Sequence, residues 1–250
     1  MASTLSTDGD TVAEAVVRVS GLLERVFTTV QQTCEQTATL LAHINRRGRR
    51  PTSADLARLQ PLLREQLVRE AKLISGTGFI AEPGLLGDVP AWLEWWQTRA
   101  DGEVQPMLLE LDPDTSAFSD YTAWDWFALP RTTGQRAVSG PYVDYLCSDE
   151  YSLTLAAPVV VDGAFAGVAA ADVYLRHFEA AVGPALRRIE GPAFLVNPRG
   201  RVTASNTATQ LAGSLVRDLD TAAARGEVVL HPCGAIPLVL VTAARASRAR

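Results

Sequence analysis

Aromatic rings and carboxyl groups are concentrated between residues 120 and 172. The aromatic members are Tyr121, Trp124, Trp126, Phe127, Tyr142 and Tyr145, and the acidic members are Asp120, Asp125, Asp144 and Asp172. Aromatic faces attract ammonium groups with about 0.5 to 2 kcal/mol, and a carboxylate adds a charge-assisted hydrogen bond. Brought together in one pocket, these side chains favour a small cation.

Asp172 is the most informative member, because it ends an apolar run that the sequence predicts to be a buried strand. A buried carboxylate is costly unless it is paired. A ligand, a backbone amide or a nearby arginine could supply the partner. Trp124 and Trp126 stand at alternate positions, where tryptophans serve as core residues as readily as ligand contacts.

Catalytic chemistry has no candidate residues in this sequence. His43, His177 and His231 lack a Cys, Asp or Glu at metal-ligand spacing. A Gly-x-Ser-x-Gly elbow, a phosphate-binding loop and a dinucleotide fingerprint are all missing. We therefore expect no enzyme activity, catalytic residue, metal or cofactor.

Composition narrows the class of partner and the compartment. The net charge is −5, and the basic residues are scattered apart from Arg46, Arg47, Arg49 and Arg50, which we expect to cap a helix end, so nucleic acid is not an expected partner. The polar residues 1–10 do not resemble a secretory signal, and the most apolar stretch, residues 153–173, is too interrupted to span a membrane. Three scattered cysteines suit a reducing compartment. Unless the chain is an excised fragment, these features predict a cytoplasmic protein.

The N-terminal quarter predicts two helices. Apolar residues recur in alternating steps of four and three from Val12 to Ile44, which is a heptad seam. A second helix follows Pro51, with Ser53 as its N-cap and one apolar face over residues 56–74. Packing between these two helices would bury the seam, but strict heptad spacing favours a coiled-coil homodimer. We predict a helical stalk and dimerisation domain over residues 1–74.

The rest of the chain, residues 75–250, predicts strands. The clearest is a hairpin in which residues 153–161 and 164–173 flank an Asp162-Gly163 type I′ turn. We also predict strands at residues 106–111, 193–196, 201–204, 227–231 and 236–242, a strand or short helix around Trp92 to Trp96, and a helix over residues 175–189. The fold class is α+β, a PAS-like antiparallel sheet of five to six strands behind the long helical stalk.

This order of elements resembles the Cache family of small-molecule sensor domains. The matching blocks run in order: Trp124-Asp125-Trp126-Phe127-Ala128, Gly140-Pro141-Tyr142-Val143-Asp144, Leu153-Thr154-Leu155-Ala156-Ala157-Pro158-Val159, Asp162-Gly163-Ala164-Phe165-Ala166-Gly167-Val168, Ala171-Asp172-Val173 and Phe194-Leu195-Val196-Asn197-Pro198-Arg199-Gly200-Arg201. Each block is weak alone, and the ordered series carries the resemblance. It implies a PAS-like sensor domain that binds a ligand and signals to another protein.

The family's amino-acid-binding branch implies ligand contacts at Trp126 and Asp172, and Phe127 stands where that branch has a tyrosine. Together with the neighbouring aromatic and acidic side chains, the predicted ligand-binding residues are Tyr121, Trp124, Trp126, Phe127, Tyr142, Asp144 and Asp172. In the amino-acid-binding branch an arginine precedes the tryptophan by two positions, but this chain has Trp124 there. An indole cannot replace the bidentate carboxylate clamp of a guanidinium.

We therefore expect a small amine or quaternary ammonium ligand. If Arg131 or Arg136 turns inward, an amino acid or carboxylate becomes the better ligand. A structural or dimerisation protein with a vestigial pocket is the competing class, and a separate signalling or regulatory protein is the expected partner of a sensor.

Overall fold

The computed structural model describes residues 4–99, 101–107, 109, 111, 120–144 and 150–244. These residues fall into two compact units. One unit comprises residues 25–139 and 144–174, and the other comprises residues 1–24, 140–143 and 175–250. The first helix contributes residues to both units, and the division into functional domains at residues 74 and 75 stays a prediction.

Helix α1, Thr4–Asn45, contains the predicted heptad seam. The single chain already buries most of it, including Val19, Leu23, Val26, Val30, Thr33 and Ile44. Part of the seam packs against the second helix, where Thr33 Oγ1 donates to Gln66 Oε1 at 3.1 Å and Gln66 Nε2 donates to the Thr29 carbonyl at 3.1 Å. The packing partner of this part of the seam is thus intramolecular, and homodimerisation through the N-terminal helix stays a prediction.

The second helical segment is built in pieces: α2, Ser53–Leu56, a 3₁₀ turn, Ala57–Leu59, and α3, Gln60–Arg69. Its N-cap is Thr52 rather than the predicted Ser53, because the Thr52 N–H and hydroxyl both donate to Asp55. The predicted apolar face is buried from Leu56 to Leu67. Ala71 is exposed, because the helix ends at Arg69.

A six-stranded sheet follows, in the spatial order β3-β2-β1-β6-β5-β4. The strands are β1 (Gly76–Ala81), β2 (Leu93–Thr98), β3 (Val104–Pro106), β4 (Ala137–Asp144), β5 (Glu150–Val161) and β6 (Ala164–Tyr174). Between β3 and β4 lie a 3₁₀ turn, Tyr121–Ala123, and helix α4, Asp125–Thr133. A strand was predicted at residues 106–111. The strand found in this region is β3, which ends at Pro106, the first residue of the predicted range.

The predicted hairpin is confirmed. Strands β5 and β6 pair antiparallel, and both turn residues have the positive φ that a type I′ turn requires, 52° at Asp162 and 81° at Gly163. A bulge shifts the register between Val159 and Val160, so that Thr154 lies opposite Asp172 and Val160 lies opposite Phe165.

The prediction of one sheet is incomplete, because the C-terminal strands form a second sheet. Helix α5 (Leu175–Leu186) is followed by β7 (Ala193–Val196), β8 (Val202–Ser205), helix α6 (Leu219–Ala224), β9 (Val228–Pro232) and β10 (Val239–Ala243). These four strands are ordered β8-β7-β10-β9. They have their own apolar core, which includes Phe194, Val202 and Val241. Among the described helices none is long and apolar enough to cross a bilayer.

The register gives the six-stranded sheet two faces, because residues directly opposite each other in paired strands project to the same side. We call the side that carries Asp172, Thr154 and Gly76 the Asp172 face. The other side carries Trp96, and helix α3 covers it there with Arg64, whose guanidinium carbon lies 5.2 Å from the Trp96 ring centroid.

Candidate functional site

Asp172 lies near the middle of the sheet, on β6 between β1 and β5. It is only 7% exposed, and its Oδ1 accepts a hydrogen bond of 2.6 Å from Thr154 Oγ1 on the neighbouring strand. Its backbone carbonyl accepts from the N–H and hydroxyl of Ser75 at 2.8 and 3.1 Å. The carboxylate is therefore fixed in position.

Small residues surround Asp172 on its face. Gly76 is opposite Asp172, and Gly78 is opposite Ala170, which in turn is opposite Ala156. The Trp95 indole lies over the two glycines: a Cβ added to Gly76 would be 2.9 Å from Trp95 Nε1, and one added to Gly78 would be 3.0 Å from Trp95 Cε3. The glycines thus allow a large aromatic ring to lie flat on the sheet beside the carboxylate.

Two buried polar atoms on this face have no hydrogen-bond partner among the described residues. They are Trp95 Nε1 and Ser152 Oγ. The strand register places both atoms near Asp172. Trp95 Nε1 lies over Gly76, which is directly opposite Asp172. Ser152 is two residues before Thr154 on β5 and therefore projects from the same side of the sheet. A buried donor without a partner costs about 1 to 3 kcal/mol. The Asp172 face therefore presents a fixed carboxylate, an indole N–H and a hydroxyl.

Aromatic residues of the predicted site cover the same face. The Phe127 ring makes edge-to-face contacts with Tyr121 at 5.2 Å, Trp126 at 6.1 Å and Phe165 at 5.8 Å. Phe165 lies opposite Val160 and so projects from the Asp172 face. Helix α4 packs on β5 and β6, the strands that carry Thr154 and Asp172. Trp126 and Phe127 are both buried where the helix packs on these strands.

Tyr121 has a structural role in this arrangement. Its hydroxyl donates to the Ala81 carbonyl at 2.8 Å, and burial raises the pKa of the phenol to about 12. The hydrogen bond ties the segment before α4 to the end of β1. Tyr121 and Phe127 are therefore placed by the fold to support Trp126.

The remaining predicted site residues are placed as follows. Trp124 is half-buried directly before α4, and Tyr142 is half-buried on β4. The side chain of Asp144 and all of Tyr145 lie outside the described residues. Whether these residues contact a ligand stays a prediction.

The two arginines considered as a carboxylate clamp are engaged elsewhere. Arg131 forms an ion pair with Glu82, whose pKa is raised by burial against the opposing effect of Arg131. Arg136 is exposed, and its guanidinium carbon lies 4.5 Å from the ring centroid of Phe27 on α1. Neither position supplies the inward-facing guanidinium that the amino-acid-binding branch uses.

Comparison with known proteins decides the fold family. The profile of the family described as "Methyl-accepting chemotaxis protein-like, first PDC sensor domain" matches residues 92–180. The chain has the fold of a Cache, or PDC, sensor domain. This confirms the resemblance found in the sequence, and the matched segment contains Trp95, α4, β5 and Asp172. No curated protein matches closely enough to add a relative.

Solved structures agree with this Cache fold over nearly the whole chain. One is "Methyl-accepting Chemotaxis protein X", with 18% identity, 97% of this chain and 98% of that chain covered, and a TM-score of 0.67. Another is the ligand-binding domain of the Campylobacter jejuni chemoreceptor Tlp3 in complex with L-norvaline, with 14% identity, coverage of 96% and 90%, and a TM-score of 0.64. A third is the extracellular domain of soHK1S-Z6, a protein assigned as a histidine kinase, with 15% identity, coverage of 93% and 92%, and a TM-score of 0.63.

The predicted cytoplasmic location is wrong on this comparison. The Cache fold shared with soHK1S-Z6 is that of an extracellular domain, and the family match is to a sensor domain of the chemotaxis-receptor type. Composition could not decide the location, because a globular domain has a polar surface in either compartment.

Sequence reasoning missed three residues of the site: Trp95, Ser152 and Thr154. Sequence signals could have indicated two of them, Trp95 and Thr154. The Gly-x-Gly pattern at residues 76–78 has room for a ring from the next strand, and Thr154 is a polar residue within an apolar run on the hairpin partner of β6.

Proposed function

We propose that this Cache domain is a sensor that binds a small primary amine on the Asp172 face. The observation that carries the proposal is the pair of buried polar atoms, Trp95 Nε1 and Ser152 Oγ, beside a carboxylate that Thr154 holds in place. Buried polar groups are normally hydrogen-bonded, so this set suits a ligand that supplies both a donor and an acceptor.

The ammonium group of the ligand would bind Asp172. A carboxylate and an ammonium form a charge-assisted hydrogen bond of about twice the strength of a neutral one, and the low local dielectric strengthens it further. The Ser152 hydroxyl can accept a second N–H. A quaternary ammonium has no N–H for either acceptor, so the geometry favours a primary amine.

The indole N–H of Trp95 only donates, so the ligand also needs an acceptor atom. An amino acid would use a carboxylate oxygen, as L-norvaline could, and an amino alcohol or amino amide would use a neutral oxygen. Arg131 and Arg136 are engaged elsewhere and Trp124 stands at the family's arginine position, so the neutral acceptor is favoured. The Tlp3 complex with L-norvaline supports the ammonium half of this ligand.

Signalling and location follow from the same proposal. We place the domain outside the cytoplasm, where it would report the ligand concentration to a separate signalling protein or segment. The competing proposal, a structural protein with a vestigial pocket, predicts that no ligand binds.

The test uses ligands that differ in one group. L-norvaline has both groups, norvalinamide replaces the carboxylate with a neutral amide, butylamine has only the ammonium, and pentanoate has only the carboxylate. Bound at about 100 times its dissociation constant, a ligand adds about 2.7 kcal/mol to the free energy of unfolding. We expect norvalinamide to bind more tightly than norvaline and butylamine, and pentanoate not to bind.

The matched variants are Asp172→Asn and Asp162→Asn, which each remove one negative charge from the same hairpin. Asp172→Asn should weaken amine binding at least about tenfold, the loss of a charged hydrogen bond, while Asp162→Asn in the exposed turn should not. Binding of pentanoate alone, or equal losses in both variants, would refute the amine assignment. If none of the four ligands stabilises the wild type, the amine-sensor proposal is refuted and the result supports a structural protein with a vestigial pocket.

A further inference from the structure

A cavity lies at the C-terminal end of helix α1, against the 3₁₀ turn Ala57–Leu59. Its volume is about 330 Å³, within the range of about 300 to 1,000 Å³ that small-molecule sites occupy. Its walls are Gln36, Thr39, Leu40, His43, Arg46, Arg58 and Leu59. We call it the basic groove, because its ionisable side chains are Arg46, Arg58 and His43.

The α1 side of the groove is one stripe of the helix. Gln36, Thr39, Leu40 and His43 follow a spacing of three and four residues, which places them on one face. Leu40 and Leu59 give an apolar contact from the two opposing elements, and Gln36 and Thr39 add an amide and a hydroxyl. The lining is thus mostly polar, with two leucines among five polar side chains, which suits a charged ligand more than an apolar one.

The arginines around the α1 terminus divide into two kinds. Arg49 forms a bidentate ion pair with Asp55 at 2.6 and 2.7 Å, and Arg50 donates to the carbonyls of Gly84 and Leu86. Those two hold the segment after α1 in place. Arg46 instead lines the groove together with Arg58 from the 3₁₀ turn, and both are exposed.

The charge balance of the groove is positive. The nearby carboxylate of Asp55 is matched by Arg49, which holds the pKa of Asp55 well below its usual value. The partial negative charge of a helix C-terminus is also reduced, since the N–H groups of Arg46, Arg47 and Gly48 donate to the last carbonyls of α1. Arg46 and Arg58 therefore give the lining of this cavity a positive charge.

From this geometry we infer that the basic groove binds a small organic dianion, a dicarboxylate or a phosphate monoester. Guanidinium groups pair bidentately with carboxylate and phosphate, and two arginines from different elements of the lining can neutralise two negative charges. The apolar lining from Leu40 and Leu59 favours a carbon skeleton between or beside the charged groups. The site is separate from the Asp172 face and would let the domain respond to an anion in addition to an amine.

The experiment measures binding of succinate and of phenyl phosphate by calorimetry, with neutral succinamide as the ligand control. The test variant carries Arg46→Gln and Arg58→Gln. The control variant carries Arg47→Gln and Arg217→Gln, which removes the same charge at exposed positions outside the groove. Circular dichroism checks that both variants fold.

We expect at least one dianion to bind the wild type and succinamide not to bind. The groove variant should weaken this binding at least about tenfold, and the control variant by no more than about twofold. Added salt should weaken it further because the groups are exposed. Asp172→Asn should leave it unchanged, whatever happens to amine binding. Failure of both dianions to bind, or equal losses in the two arginine variants, would overturn the inference.

Discussion

The packing of Trp95 on Gly76 and Gly78 can be tested with two substitutions that look alike and should behave differently. An alanine Cβ at Gly76 would lie 2.9 to 3.1 Å from three atoms of the Trp95 indole. An alanine Cβ at Gly78 would lie 2.2 Å from the Glu94 carbonyl oxygen and 2.8 Å from Trp95 Cα. The first contact is with a side chain and the second is with backbone.

The expected costs follow from what must move. Overpacking a buried site costs about 1 to 3 kcal/mol, and Gly→Ala regains about 0.4 to 1 kcal/mol by restricting the unfolded chain. Gly76→Ala should therefore destabilise by about 1 to 2 kcal/mol. Gly78→Ala must separate β1 from β2, so its cost should reach about 3 kcal/mol or more. β1 is one of the two middle strands of the sheet that carries Asp172, and it pairs directly with β6.

Trp95→Phe provides the decisive background, because it removes the atoms that crowd Gly76 and leaves the backbone at Gly78 unchanged. The double variant Gly76→Ala with Trp95→Phe should lose less stability than the two single changes added together, by about 1 kcal/mol. Gly78→Ala with Trp95→Phe should be close to additive.

Urea unfolding followed by tryptophan fluorescence suits this test, since the five tryptophans all lie in the unit that contains this sheet. Additive energies for the Gly76 pair would refute the placement of the indole over Gly76. A Gly78→Ala variant as stable as the wild type would refute the β1–β2 register.

Three further predictions concern other parts of the chain. Leu23→Asp should lower the free energy of unfolding by about 3 kcal/mol or more because Leu23 is fully buried within the chain, and a stable, folded monomer by light scattering would show instead that this seam joins two chains. Burial raises the pKa of the Cys34 thiol to about 12 and that of Cys233 to about 11, so in a Cys147→Ser background a thiol reagent at pH 8 should label neither until urea is added. The hydrogen bonds from Arg49 lower the pKa of Asp55, so its stabilising effect is present above the usual carboxyl pKa of about 4 and is lost as the pH falls further; the stability gap between wild type and Asp55→Asn should be smaller at pH 3 than at pH 5, and an unchanged gap would contradict the ion pair.

The elements that the sequence predicted well are those whose signal is local. The Asp162-Gly163 turn predicts a hairpin, because a type I′ turn needs positive φ at both residues. The strands on either side are almost entirely apolar, so they are stable only at the centre of the sheet, where both faces are covered. The buried position of Asp172 followed from the same run. The long helix was likewise predicted by periodicity alone.

The partners of these elements were harder to predict because they depend on distant residues. Heptad spacing on α1 is satisfied equally by a second chain or by α3 and the strands, and only the fold shows that Gln66 meets Thr33. Nothing local distinguishes β7 and β10 from strands that would extend the first sheet. The Trp95 site depends on a register between β1 and β2 that a one-residue slip would destroy.

The compartment prediction failed for a physical reason that the thiols illustrate. The argument assumed that unpaired cysteines need a reducing environment, which holds only where a thiolate can form and meet an oxidant. Cys34 and Cys233 are buried, and burial raises the pKa of each thiol so that the reactive thiolate is scarce at neutral pH. Cys34 also lies within 3.9 Å of the Ala157 carbonyl in the middle of the core. Such cysteines behave as small apolar residues and persist reduced on either side of a membrane, so their number carries no information about where a Cache domain works.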